Sequence, residues 1–381
     1  MTRLSHRIKD LRASPVRAML KSSLQPDVIS FAGGLPAEDS FAKLALPRHM
    51  ENIMQYGPSE GEPELRRLVA EDLQNLGLNC EADQILILSG SQQGIDLTAK
   101  LVVDAGTRIA LEAPTYLAAL QVFRFFGAKF ESLDSDEPGA SWTNETAPSL
   151  AYVIPTFQNP SGRCWTYKQR QAFAKNCEDK NVILFEDDPY RDLAYGECER
   201  RPIASMMKKG SWIYQGSFSK TLAPGLRLGF IAASKDLFPH LILLKQAADL
   251  HTNRISQHMV IDFLKTQDRE KRRKALISSY KNKRDNFAAL MTHHFGNNAS
   301  WDIPPGGLFF WASLPDQINM EALFQEALSK NVLFTPGHHF YAGKKSHANA
   351  MRLNFSHTSQ EKADIGLKTL GELIRKHSSK T

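Results

Sequence analysis

The segment Ser217-Phe218-Ser219-Lys220-Thr221-Leu222-Ala223-Pro224-Gly225-Leu226-Arg227-Leu228-Gly229 joins two apolar runs, Trp212-Ile213-Tyr214 and Gly229-Phe230-Ile231-Ala232, that read as buried strands. A lysine between two such strands, ringed by hydroxyls and followed by an arginine, calls for a chemical reason. Desolvation lowers the pKa of an ammonium and makes the amine a nucleophile toward a carbonyl. Ser217, Ser219 and Arg227 supply the donors that a phosphate takes, arginine as a planar fork. A phosphate-bearing aldehyde held by lysine through a Schiff base, pyridoxal 5′-phosphate, answers both features. Alone, the segment reads equally well as a solvated serine-rich turn, so the rest of the chain decides.

Upstream, four more strand-to-loop units point the same way. Ile85-Leu86-Ile87-Leu88 reads as a buried strand, followed by the loop Ser89-Gly90-Ser91-Gln92-Gln93-Gly94 and a helix from Ile95 to Val103. Strand, small polar loop and helix aim backbone N–H groups and a helix dipole at an anion. The spacing is neither that of a P-loop nor G-x-G-x-x-G. The strand Arg108–Leu111 leads to Tyr116, and Tyr152-Val153-Ile154 leads to Asn159-Pro160. Val182–Phe185 gives way to Glu186-Asp187-Asp188-Pro189-Tyr190, where carboxylates after a buried strand need a cation or a donor. Because each loop follows a strand, all five gather along one edge of a sheet, where open α/β sheets bind ligands.

The flanks are less regular. Ser14 as N-cap with Pro15 predicts a short helix carrying Arg17, on its own an ordinary surface residue. Val28–Phe31 reads as a strand running into Gly33-Gly34, a backbone that bends sharply or approaches a ligand closely. Tyr56 leads a turn-rich loop before a helix from Pro63 to Leu76. Beyond Asp262 come a long charged helix, Arg269 to His294, and strands at 308–311, 332–334 and 351–356. The last alternates so that Arg352 faces away from Leu353 and Phe355. His338 and His339 are adjacent, expected to point apart, and unaccompanied by a carboxylate, so no metal is assigned to them.

Composition bounds the rest. The chain has 381 residues, 42% hydrophobic and 23% charged, enough for a large core and against extended disorder. A net charge of +6, with its densest basic run (265–284) lacking aromatic interleaving, argues against a nucleic-acid partner. Cys80, Cys164, Cys177 and Cys198 form no C-x-x-C pair, which suits a reducing cytoplasm. Neither a signal-peptide pattern nor a membrane span is evident, so a cytoplasmic protein with no membrane partner is expected.

Together, Ser30–Pro36, Tyr56–Gly61, Ser89–Gly94, Asn159–Gly162, Glu186–Tyr190, Ser217–Lys220 and Met351–Leu353 resemble, in order, the segments of the class I/II aminotransferases of PLP fold type I. The likeness is to the branch holding 2-aminoadipate and kynurenine aminotransferases and the aminotransferase-like domain of the MocR regulators. That resemblance implies that Lys220 binds the cofactor and later moves the substrate proton, and that Asp187 pairs with the pyridine nitrogen. It implies that Asn159 and Tyr190 hold the 3′-oxygen and that Tyr116 stacks on the ring. Ser91, Gln92, Ser217, Ser219 and Arg227 would hold the phosphate, with Tyr56 reaching the partner's phosphate in a homodimer. Arg352 would take the substrate carboxylate, near Asn159, Gly34 would let substrate approach, and Arg17 becomes a candidate side-chain contact.

The expected architecture is α/β: a mostly parallel central sheet flanked by helices (42–270) and a smaller α+β domain from 1–41 and 271–381. The expected reaction is transfer of the α-amino group of 2-aminoadipate, an aromatic or an aliphatic amino acid to a 2-oxo acid such as 2-oxoglutarate, by a ping-pong route. Two alternatives stand beside it. A β-elimination enzyme would share the first proton removal. A PLP-binding regulator would need a DNA-binding domain that the short stretch before Gly33 is not expected to form.

Overall fold

The computed structural model describes residues 5–9, 27–266, 268–343 and 349–379. The expected first helix and Arg17 lie outside the described residues. After a short strand β1 (Ile29–Ser30) come β2 (Ile85–Leu88), β3 (Arg108–Leu111), β4 (Lys129–Ser132), β5 (Leu150–Val153), β6 (Ile183–Asp187), β7 (Trp212–Ser217) and β8 (Gly229–Ala233). β2 to β8 form one seven-stranded sheet in the order β2-β8-β7-β6-β5-β3-β4. β8 runs antiparallel to β2 and β7, and the other pairings are parallel.

The unbroken apolar runs explain why this sheet is buried on both faces. Along β2, Ile85 and Ile87 pack with Leu65, Leu73 and Phe173 on one side. Leu86 and Leu88 pack with Ile95, Leu97, Phe123 and Leu241 on the other. The helices Pro63–Gln74, Tyr167–Lys180 and Arg254–Leu264 therefore cover one face, and Ser91–Val102, Leu117–Phe125 and Phe238–Asp249 cover the other. With β2, β3, β5, β6 and β7 parallel, the loops that follow them share one edge.

A second body packs on this one. Strands β9 (Phe309–Ser313), β10 (Val332–Leu333), β11 (Thr335–Pro336) and β12 (Ala350–Asn354) follow the long helix Arg269–Phe295. β11, β12 and β9 form an antiparallel sheet, and β10 pairs in parallel with β1. Leu276, Tyr280, Phe287, Met291 and Phe295 of the long helix pack with Leu353 and with Leu367, Leu370 and Ile374 of the last helix, Gln360–Ser378. The amino-terminal segment is pinned to this core where Ala37 N donates to the Tyr280 hydroxyl at 3.0 Å.

Two boundaries differ from the sequence reading in ways that matter for the site. The helix expected from Ile95 begins at Ser91. Gln93 reaches back to accept from Ser89 N at 2.9 Å and its own N–H donates to Gly90 O at 3.0 Å, so the polar run closes a helical turn. Likewise β6 continues through Glu186 and Asp187, which pair with Tyr214 and Gln215 of β7. Their carboxylates tolerate a buried strand because donors meet them there.

Candidate active site

One cavity of about 160 Å³, at the edge where the parallel strands end, is lined by Ser91, Gln92, Tyr116, Asn159, Asp187, Tyr190, Ser217, Ser219, Lys220 and Arg227. Lys220 sits in the connection from β7 to β8, and its Nζ donates to the Gly34 carbonyl at 2.9 Å. Burial, then the nearby Arg352 and Arg227 cations, push its amine down to about 8. Asp187, at the end of β6, accepts from the Tyr152 hydroxyl at 2.7 Å and from Gln215 Nε2 at 2.8 Å. Burial outweighs those two bonds, with Asp188 adding to it, and its carboxyl rises to about 6.

The opposite end of the cavity is built for an anion. Ser91 opens its helix there, and Ser91 and Gln92 line the cavity with the positive end of the helix dipole. Arg227 takes a left-handed backbone (φ 51) that caps the turn Pro224–Leu226, and its guanidinium lies against Gly90. A Cβ at Gly229 would stand 2.8 Å from Ser91 N, so glycine permits this close approach.

Arg352 reaches in from β12 and is buried. Its Nη1 donates to Asn159 Oδ1 at 2.9 Å, its Nη2 donates to the Ala32 carbonyl, and its buried Nε has no partner among the described residues. The guanidinium lies 4.3 Å over the Phe309 ring and 5.1 Å from the Phe340 ring. Burial lowers its pKa to about 10. Tyr190 is buried beside it and Tyr116 half-buried, and desolvation raises both phenols, Tyr116 to about 12.

These residues fit pyridoxal 5′-phosphate. A buried carboxylate whose partners are neutral donors suits a ring cation. A helix amino terminus with hydroxyls and an arginine suits a phosphate, and a partly deprotonated amine suits an aldehyde.

Tyr56 is not part of this constellation in its own chain. It is 75% exposed and its ring packs edge-to-face with His251, ring centroids 5.7 Å apart. Nor do His338 and His339 point apart. They sit in a 3₁₀ turn, Gly337–Phe340, whose rotation leaves the rings 4.1 Å from each other. Sequence reasoning missed Tyr152 and Gln215, the two donors behind Asp187. A glutamine inside the otherwise apolar β7 was the available signal, whereas Tyr152 looks like any packed aromatic.

Residues 27–370 match the family model described as "Aminotransferase class I and II". Over 99% of its length the chain is 34% identical to aromatic-amino-acid aminotransferase 1 of Thermococcus litoralis, 95% of which is covered. It is 33% identical to 2-aminoadipate transaminase of Thermus thermophilus, covering 96% of this chain and 94% of that one. The crystal structure of Pyrococcus horikoshii kynurenine aminotransferase superposes with a TM-score of 0.90 at 31% identity, covering 99% and 98% of the two chains.

Proposed function

We propose, from the premise that this chain belongs to the class I and II aminotransferases, a division of labour among the residues around Lys220. The protein is a PLP-dependent aminotransferase, transferring an amino group between an amino acid and a 2-oxo acid. The cofactor supplies a carbonyl that takes the amino group and a ring that accepts electrons. With its amine near pKa 8, Lys220 has a usable neutral fraction close to neutral pH and can take the substrate Cα proton on Nζ. Ionised Asp187, its carboxylate steadied by Tyr152 and Gln215, would keep the cofactor's ring nitrogen protonated. Asn159 and Tyr190 would hydrogen-bond the cofactor's ring oxygen, and Tyr116 would stack on its ring. Ser91, Gln92, Ser217, Ser219 and Arg227 take the phosphate.

Arg352 binds the substrate α-carboxylate as a bidentate fork. Its unpartnered Nε, buried in the site, supports that role. Gly34 gives the substrate room near the carbonyl that Lys220 now occupies. Arg17 is the candidate contact for the substrate side chain, and 2-aminoadipate, aromatic and aliphatic amino acids are the candidate donors, with 2-oxoglutarate as acceptor. Residues 42–270 act as the cofactor-bearing body, and 1–41 with 271–381 as the body that brings Arg352. Two copies complete each other's sites through Tyr56, whose exposed ring supports this reading. The protein works in the cytoplasm; among the described residues no helix is long and apolar enough to cross a membrane.

The observation that carries this reading is one cavity that holds the half-buried Lys220 amine, the buried Asp187 carboxylate and the Arg227 guanidinium. The test is the visible spectrum of the purified protein with amino acids added singly. A cofactor band that shifts with glutamate and returns with 2-oxoglutarate supports transamination, and the other amino acids that shift it define the donors. A band that persists unchanged in Lys220→Ala would sink the assignment.

A further inference from the structure

Cys164 and Cys198 are distant in sequence, yet the fold brings their thiols together. Cys164 follows the loop that carries Asn159, and Cys198 lies in the strap 196–202 that follows Tyr195. Cys164 Sγ donates to the carbonyl of Glu199, the neighbour of Cys198, at 3.0 Å. Each thiol acts on the other's titration, lowering that of Cys164 and raising that of Cys198. Both are half-buried and pack on the same apolar cluster. The Arg170 guanidinium lies alongside: its Nη2 donates to Glu199 O at 2.9 Å and stands 3.8 Å from Cys164 Sγ. Cys80 and Cys177 are buried in a different cluster.

We propose that Cys164 and Cys198 form a reversible oxidation site that closes to an intramolecular disulfide. The oxidant is a hydroperoxide such as hydrogen peroxide. The Cys164 thiolate attacks one peroxide oxygen, an S–O bond forms, the O–O bond breaks, and the departing hydroxide takes a proton and leaves as water. Cys198 sulfur then displaces the remaining oxygen as a second water, and the S–S bond forms. In total two thiols lose two protons and two electrons, and one peroxide becomes two waters. A dithiol reverses the reaction through a mixed disulfide. In a reducing compartment such a link is transient, as a regulatory or protective device requires.

The roles within the pair follow from their surroundings. Cys198, then Arg170, stabilise the Cys164 thiolate against burial and bring it down to about 7. Cys198 is pushed up by the same interaction, which makes it the resolving thiol. Burial pushes Cys80 up to about 12 and raises Cys177 as well, so neither competes. The link joins segments that follow Asn159 and Tyr190 in sequence, and neither cysteine is among the residues lining the cavity.

The test treats holoenzyme with a small excess of hydrogen peroxide, blocks remaining thiols with iodoacetamide and maps the peptides. The expected product is one peptide pair joined through Cys164 and Cys198, with the intact chain about 2 Da lighter and fully restored by dithiothreitol. In C164S the link is absent and Cys198 remains alkylatable; in C198S, Cys164 is trapped by dimedone as the sulfenic acid. Wild-type protein in which Cys164 oxidises without a link overturns the proposal. So does a bond through Cys80 or Cys177, or a cross-link between two chains. The wild-type peptide map decides the matter even where a serine variant folds poorly.

Discussion

Tyr152 reacts with nothing, yet its hydroxyl is one of two donors that hold the Asp187 carboxylate. Replacing it with phenylalanine leaves the anion one bond short, a change of roughly 1–2 kcal/mol that moves the Asp187 pKa up by about one unit. The role proposed for Asp187 needs its ionised form, so the acid limb of kcat/KM against pH should move to higher pH in Tyr152→Phe. A profile that overlays the wild type would reduce Tyr152 to packing. The same sign governs cofactor-free protein. Asp187, held at about 6, and Glu112 and Glu186, each at about 7, all lie above the ordinary carboxylate range because of burial. Raised pKa values mean that the folded state holds these protons more tightly than the unfolded chain. Their stabilisation is complete below about pH 4, the ordinary carboxylate range, and is lost as pH rises from there through 6 to 7. The melting temperature of apoprotein should therefore fall over that range, while added pyridoxal phosphate raises it more at higher pH, where Asp187 is ionised. A flat apoprotein curve would mean that other groups compensate. Lys220 and Arg227 were legible in the sequence because charge between apolar strands is conspicuous. Tyr152 was not, since a buried tyrosine and a hydrogen-bonding tyrosine are written alike.

Elements were legible where period and burial agreed. The runs Ile85–Leu88 and Arg108–Leu111 are strands at the expected limits because every residue but Arg108 is buried. Boundaries drifted where polar side chains are satisfied by partners far away in sequence, as at Ser91 and Asp187. Gly94 shows the physics. It looks like a loop residue but lies in the first turns of a helix, where a Cβ would overlap the Gln215 side chain and stand 2.9 Å from Leu88 Cδ1. Gln215 in turn holds Asp187, so Gly94→Ala should cost about 1–3 kcal/mol of stability and also weaken cofactor retention. Thermal unfolding and the rate of cofactor loss on dialysis measure the two effects. Equal retention in a destabilised variant would uncouple the helix packing from Asp187. Arg170 is a second such joint. Its guanidinium bonds the carbonyls of Pro155, Trp165, Glu199 and Arg201 and lies 3.7 Å from Glu186, both side chains fully buried. Arg170→Ala strands that carboxylate and should destabilise by about 3–5 kcal/mol, read as a drop in the denaturation midpoint; a midpoint within error of wild type would contradict it.

At the scale of the whole molecule, the division of labour predicts that active sites are shared between copies. Tyr56→Phe and Lys220→Ala proteins, unfolded and refolded together, should recover activity that neither has alone. In a hybrid, the Lys220→Ala copy lends its Tyr56 to the site that keeps Lys220. If Tyr56 served its own chain, mixing would restore nothing. Sheet order, by contrast, was written in the sequence only as a set of strands sharing an edge; the reversal of β8 was not, because nothing in Gly229–Ala233 marks its direction. That reversal has a consequence for how such a chain can vary over generations. Since β8 returns directly from β7, the single connection 218–228 carries both the amine at Lys220 and the guanidinium at Arg227, with both ends clamped by strand pairing. Inserting or deleting even one residue between them would shift one relative to the other. Length variation among descendants of this gene is therefore confined to other surface loops, and this connection can drift in composition but not in span.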